Sequence, residues 1–295
     1  MNTYNKLLAK YQNGNYVVKI YEDGTKIRFT LDDDFKSRFP ESIDIKITNF
    51  CDNNCLMCHE NSSTNGKHAD INHPFLDTLV KGTELAIGGG NPLSHPQLIE
   101  FLTKMKKQGV ICNMTVNQNH LIKSYNLVQK LIDDKLIYGV GISLLNDSNL
   151  DDILSFVSKN SNCVIHTIAG ITKKELLERL YDKNLKILIL GYKEFGRGKT
   201  YYNSTIKNNI NYYKDNILEI GKHFLVVSFD NLAIMQLELK NKLDPQTFDQ
   251  YYMGDDGMFT MYIDLVNEEF AKSSTSTVRY KLLDNIIDIF SKIKI

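Results

Sequence analysis

Asn49-Phe50-Cys51-Asp52-Asn53-Asn54-Cys55-Leu56-Met57-Cys58-His59-Glu60 decides how the chain is read, because three of its five cysteines fall within eight residues, spaced C-x3-C-x2-C. Just ahead of it, Ile43-Asp44-Ile45-Lys46-Ile47-Thr48 alternates apolar and polar side chains with period two, which predicts a strand. The cysteines therefore occupy a loop leaving a strand, a place where scaffolds display reactive side chains. A short polar loop can wrap three thiolates around one face of a small inorganic cluster. Thiolates are the usual ligands of iron–sulfur clusters, and a four-iron cluster held by only three of them keeps one iron open to a substrate. A structural zinc site is the alternative, with His59, His68 or His73 completing a set of three sulfurs and one nitrogen.

Downstream, short β-rich runs alternate with helical stretches. A helix is expected over 74–81, then the strand Glu84-Leu85-Ala86-Ile87, then a helix over 95–108 with Leu98, Phe101, Leu102 and Met105 at helical spacing. Val110-Ile111-Cys112-Asn113-Met114-Thr115-Val116-Asn117 is the third strand, followed by a helix near 121–130. Gly139-Val140-Gly141-Ile142-Ser143-Leu144 is the fourth strand and 162–170 the fifth. A helix near 173–181 leads to the sixth, Lys186-Ile187-Leu188-Ile189-Leu190. Six strands separated by helices imply right-handed βαβ units and a parallel sheet. Six units fall short of the eight that close a barrel, so the expectation is α/β, a partial (β/α)6 TIM-like barrel over 43–199.

Two appendages flank it. Residues 1–42 carry a β-hairpin signal, with β-formers on either side of Glu22-Asp23-Gly24-Thr25, expected to cap one end of the barrel. Residues 200–295 read as a small α+β extension. It holds the Asn-rich 206–216 stretch, strands at 224–229 and 258–263, and an amphipathic segment over 280–293.

A second motif follows the second strand: Gly88-Gly89-Gly90-Asn91-Pro92. Glycines there let the backbone approach a ligand with no side chain intervening. With C-x3-C-x2-C one β/α unit earlier, the chain resembles the radical S-adenosylmethionine (radical SAM) superfamily. The resemblance spans about residues 43–199. It implies a [4Fe-4S] cluster on Cys51, Cys55 and Cys58, with S-adenosylmethionine chelating the open iron and yielding a 5′-deoxyadenosyl radical that abstracts hydrogen from the substrate. It also implies cofactor contacts at Met57, Gly89, Gly90, Asn91, Pro92, Ser143, Ile168 and Gly191, and a low-potential electron donor such as a flavodoxin or ferredoxin. Two positions depart from the family pattern: Asn91 stands where a glutamate is usual, and Met57 where an aromatic residue is usual. Gly196-Arg197-Gly198 resembles an element found in members acting on peptides, and the tail resembles their carboxyl-terminal extension. That extension usually carries further cluster cysteines and this tail has none, so auxiliary clusters are excluded; a peptide and a small molecule or nucleotide both stay open as substrates.

Barrel sites form at the carboxyl ends of the strands, which makes the polar rim residues Asn117, Gln118 and His120, with Arg197, the substrate candidates. Cys112 and Cys163 fall early in strands three and five and read as small buried hydrophobes. His166, mid-strand, reads as a hydrogen-bonded core histidine, and His59 and Glu60 as neighbours that tune a cluster. Lysine plus arginine equals aspartate plus glutamate at 35 each, which leaves no broad basic footprint for nucleic acid. The polar first residues lack a signal-peptide core, no apolar run reaches about 18 residues, and clustered reduced thiols suit a cytoplasmic protein without a membrane span.

Overall fold

The computed structural model describes residues 6–294; residues 1–5, the start of the polar opening read above, and residue 295 lie outside them. β1 (Leu7–Asn13), β2 (Tyr16–Tyr21) and β3 (Lys26–Phe29) form an antiparallel sheet of their own, order β1-β2-β3. The expected hairpin joins β2 to β3, with Gly24 at φ +90° in its turn; β1 is a third strand that the sequence pattern did not announce. One face buries Ala9, Tyr16, Val18 and Ile20 against Ile111 and Phe259. At the junction the buried Glu41 carboxylate accepts from Tyr16 Oη at 2.7 Å and Arg28 Nε at 2.8 Å. The hairpin tip reaches the far wall, where Asn162 Nδ2 donates to the Glu22 carbonyl at 2.5 Å. This sheet thus lies across the amino-terminal end of the barrel.

The six expected barrel strands are β4 (Ser42–Thr48), β5 (Glu84–Gly89), β6 (Ile111–Asn117), β7 (Gly139–Ser143), β8 (Cys163–Ile168) and β9 (Lys186–Leu190), each parallel to the next. Two more parallel strands come from beyond residue 200. β10 (Val226–Phe229) extends the sheet past β9, and β11 (Thr260–Asp264) pairs with β4 on the opposite side. β12 (Glu269–Ala271) and β13 (Tyr280–Lys281) continue antiparallel, giving the order β10-β9-β8-β7-β6-β5-β4-β11-β12-β13.

Alternation along β4 sets the two faces. Ile43, Ile45 and Ile47 are fully buried in the main core with the helices. Asp44 and Lys46 point the other way, level with Ala86 and Gly88 on β5 and with Tyr262 and Asp264 on β11. That inner face encloses a cavity of about 620 Å³, lined among others by Ala86, Thr115, Gly141, His166 and Ser228, with the hairpin tip at Glu22–Thr25 as its floor.

Most helices follow the apolar periodicity. α1 (Leu98–Gln108) buries Leu98, Phe101, Leu102 and Met105 and ends at left-handed Gly109. The single helix expected over 121–130 is two, α2 (Gln118–Lys123) and α3 (Tyr125–Asp133), broken at Ser124. The stretch 74–81 forms only a 3-10 turn, Pro74–Thr78, with proline at its start. α4 (Leu150–Lys159) and α5 (Lys174–Glu178) follow β7 and β8. After β9 come α6 (Arg197–Tyr201) and the 19-residue α7 (Ser204–Lys222), whose Ile206, Tyr213, Ile217 and Ile220 are buried. α8 (Asn231–Gln236), α9 (Leu239–Lys242) and α10 (Pro245–Tyr251) link β10 to β11, and α11 (Ile286–Ile293) packs into the main core. No helix among the described residues is long and apolar enough to cross a membrane.

Candidate active site

The cysteine loop leaves the carboxyl end of β4 and is held by backbone bonds on both flanks. Asn49 N–H donates to Lys67 O at 2.8 Å, and Cys51 N–H to Ser63 O at 2.9 Å. On the other flank Gly90 N–H donates to Thr48 O at 2.8 Å and Asn91 N–H to Phe50 O at 2.7 Å. The two motifs are therefore stitched together. This explains two of the glycines: a Cβ on Gly89 would lie 2.3 Å from Thr48 O, and one on Gly90 2.1 Å from Phe50 O. Gly88 differs, since its Cβ would meet nothing within 4 Å. Open approach for a ligand lies at Gly88, while Gly89 and Gly90 serve the contact with the loop. The Asn91 side chain accepts from Leu93 N–H at 3.2 Å and caps the turn Pro92–Ser94, where Pro92 is buried.

A third element grips the loop. Arg197 donates from Nε to Cys55 O and from Nη2 to Ser62 O, both at 3.0 Å, while its backbone N–H reaches Cys58 O at 3.0 Å. Gly196, at φ +52°, lies so close to His59 that a Cβ would come within 2.5 Å of its carbonyl. Arg197, expected as a carboxylate-binding residue, has these donors on main-chain carbonyls instead. A guanidinium fork suits adjacent carbonyl oxygens as well as a carboxylate.

The polar residues after β6 likewise hold protein to protein. Asn117 caps α2, and the neighbouring Asn119 donates to Asn53 Oδ1 at 2.8 Å. Gln118 is buried; its Oε1 accepts from Leu145 N–H at 2.7 Å and its Nε2 donates to Ser148 O at 2.9 Å, shaping the loop after β7. His120 Nε2 lies 2.6 Å from Asp52 Oδ1, and Lys123 Nζ 3.1 Å from Asp52 Oδ2. These contacts account for the polarity that marked residues 117, 118 and 120 as substrate candidates.

Ser143 and Ile168 close their strands on the inner face, at the same rim as the cysteines. Met57 is half-buried in the cysteine loop, beside Gly198. Gly191 is packed shut: its N–H donates to Asp230 Oδ1 at 2.9 Å, and a Cβ would lie 2.5 Å from Leu232. Cys112 and Cys163 are buried on the outer face of their strands, their thiols pushed up to about 12 by desolvation. His166 faces the cavity with its ring over Gly141 and makes no hydrogen bond among the described residues, contrary to the expectation of a bonded core histidine. Burial lowers its pKa to about 4, so the ring is neutral.

Beneath the loop lies a charged network that the sequence did not reveal. Lys46, 4% exposed, bridges Glu60 at 2.8 Å and Asp264 at 2.9 Å. Tyr262 Oη donates to Glu60 at 2.9 Å, and Lys193 Nζ donates to Ser274 Oγ at 2.8 Å while lying 3.5 Å from His59. Burial alone would raise Glu60, but His59 and Lys46 outweigh it and hold the carboxyl well below its usual range. Next along β4, Asp44 is partly open to solvent and has no hydrogen bond or ion pair among the described residues; desolvation on the strand's inner side raises it to about 6. The period-two alternation that predicts the strand over 43–48 here arises from the inner wall of a barrel, on which Asp44 and Lys46 lie.

Burial raises the thiols of Cys51 and Cys55, with each neighbouring thiolate adding to it. A single zinc ion would need its ligand atoms about 3–4 Å apart. Among the described residues, three such atoms within 4.8 Å of one another occur only at Cys51, Asp52 and His120. The three cysteine sulfurs therefore do not all lie within 4.8 Å of one another. The histidines considered as a fourth zinc ligand make other contacts here: His59 with Glu60 and Lys193, His68 with Thr48 Oγ1 at 2.9 Å, and His73 with Phe75 N–H; none of them lies in a three-donor group within 4.8 Å among the described residues.

The parallel partial barrel thus carries a loop of three cysteines at the carboxyl end of its first strand. Among solved structures, the chain is similar to Streptococcus suis SuiB. With SuiB bound to the precursor peptide SuiA, the TM-score is 0.59 at 18% identity, over 86% of this chain and 65% of that one. With SuiB bound to S-adenosylmethionine it is 0.58 at 16% identity, over 86% and 66%. A further SuiB structure gives 0.52 at 17% identity. The chain thus spans just under two thirds of SuiB's length. No protein-family model and no curated protein matches the sequence.

Proposed function

We propose that this chain is a radical SAM enzyme acting on a peptide. Cys51, Cys55 and Cys58 would hold a [4Fe-4S] cluster, and S-adenosylmethionine would lie along the rim over Gly88, the Gly89–Pro92 turn, Met57, Ser143 and Ile168. When bound, the cluster supplies the electron that cleaves the cofactor's carbon–sulfur bond. The protein's own part is to seat and shield: the 48–50 and 90–91 backbones fix the cysteine loop against the glycine turn, and Arg197 fixes its other side. The observation that carries the reading is this stitching of a three-cysteine loop to a glycine turn at the carboxyl end of a parallel barrel. The peptide assignment rests on the likeness to SuiB, seen with a precursor peptide. Electrons would come from a low-potential flavodoxin or ferredoxin.

Anaerobic reconstitution tests the reading. The chain should take up about four irons with absorbance near 400 nm, and release 5′-deoxyadenosine from S-adenosylmethionine under a strong reductant. Cys51→Ala, Cys55→Ala and Cys58→Ala should each lose the cluster, whereas Cys112→Ala and Cys163→Ala should keep it. Full iron content in any of the first three would sink the ligand assignment.

A further inference from the structure

Cys51 belongs to a second set of donors. Its sulfur, an Asp52 oxygen and a His120 ring nitrogen lie within 4.8 Å of one another, the spacing that the three cysteines lack. His120 is 2% exposed on α2 and its Nδ1 has no partner, while Asp52 is held in place by His120 and Lys123. We propose that Cys51, Asp52 and His120 form a binding site for one borderline divalent ion, Zn²⁺ or Fe²⁺, which excludes the four-iron cluster because both need Cys51.

The donor chemistry selects the ion. Thiolate, imidazole and carboxylate together suit zinc, ferrous iron and cobalt, and not the all-oxygen preference of magnesium or calcium. Three protein ligands leave a fourth position for water. Closing the set exchanges the Asp52–His120 hydrogen bond for two metal bonds, with the His120 proton shifting from Nε2 to the unpartnered Nδ1 and the Cys51 proton released to solvent. The Lys123 ammonium, 3.1 Å from Asp52, opposes a dication and keeps the site weaker than it would otherwise be. The site itself stands without the cluster reading; only the competition rests on it.

Cobalt chloride, titrated anaerobically into the full cluster-free chain, provides the test, since thiolate–cobalt charge transfer reports sulfur ligation. One cobalt per chain is expected, unchanged in the Cys55→Ser/Cys58→Ser double variant and absent in Cys51→Ser. His120→Gln and Asp52→Asn should each weaken it by about tenfold or more, a loss seen even for outer-shell partners. Lys123→Ala should tighten it. Should buried His120→Gln fail to fold, Asp52→Asn, on a half-exposed side chain, carries the test alone. A cobalt band that survives Cys51→Ser, disappears with Cys55 and Cys58, or is indifferent to Asp52 overturns the site. For the competition, one equivalent of zinc should slow iron uptake in the wild type and not in Asp52→Asn; equal slowing in both overturns it. A wild type that never assembles a cluster would count against the proposed function and leave the cobalt result standing.

Discussion

At Gly90 a missing side chain does structural duty, because the Phe50 carbonyl occupies the space a Cβ would take. Gly90→Val should therefore destabilise the fold by about 1–3 kcal/mol, as overpacking does, and shed iron through a loosened loop. Gly88→Val, facing open space, should leave the urea midpoint nearly unchanged and abolish S-adenosylmethionine binding measured by calorimetry. A Gly88 variant that binds normally would move the cofactor away from this turn. Asn91→Ala should weaken binding by no more than about 1 kcal/mol, since its side chain caps its own turn. Asp44 gives a pH signature. Its folded pKa of about 6 stands above the unfolded 3.8, so its protonated form favours the native state at low pH and that contribution is lost as pH rises to 6. Because solvent reaches Asp44 and screens its charge, Asp44→Asn should flatten stability over that window only slightly; thermal melts across pH 4–8 check it. The glycines were legible as a motif, but the reason for each was not: only the neighbouring loop's backbone separates Gly88 from Gly90.

The elements themselves were largely readable where periodicity was clean. β4 to β9 appear where alternation places them, and α1 buries the four residues its spacing picks out. α7 escaped because asparagines mask a stripe of Ile206, Tyr213, Ile217 and Ile220 that is apolar only at turns facing the core. The helix over 121–130 splits because Ser124 leaves helical geometry. The role of Arg197 was not legible either, as its partners lie 135 and 142 residues away. Its contacts make the cysteine loop a clamped element. Arg197→Ala should cost about 1.5–3 kcal/mol, the range for hydrogen bonds to a charged group, and chelators should strip iron from it faster than from the wild type. Arg197→Lys, lacking the planar fork, should rescue little. Iron loss at the wild-type rate would show that the loop holds without it.

Across the whole molecule, the charged network decides how the carboxyl-terminal strands bear on the rim. Lys46→Met removes one cation from between two buried carboxylates, Glu60 and Asp264. Breaking such a pair costs about 3–5 kcal/mol because a buried charge is left uncompensated. Urea unfolding should show that loss, and Lys46→Arg should recover part of it; a Lys46→Met chain as stable as the wild type would make the network incidental. Its pH behaviour is opposite to that of Asp44: Glu60 is depressed in the fold, so its contribution is present above its ordinary range and is lost on acidification.

The sheet order has a consequence for the chain as it emerges from the ribosome. β4, which carries the cysteine loop, is among the first strands made, yet its neighbour β11 and the Asp264 partner of Lys46 come 218 residues later. Contacts that far apart in sequence form late, after the loop-closure entropy of the intervening chain has been overcome. Until then Lys46 and Glu60 stand without their third partner, and one side of β4 is an open strand edge. A nascent chain arrested before residue 260 should therefore present its three loop thiols to alkylating reagents far more readily than the finished protein.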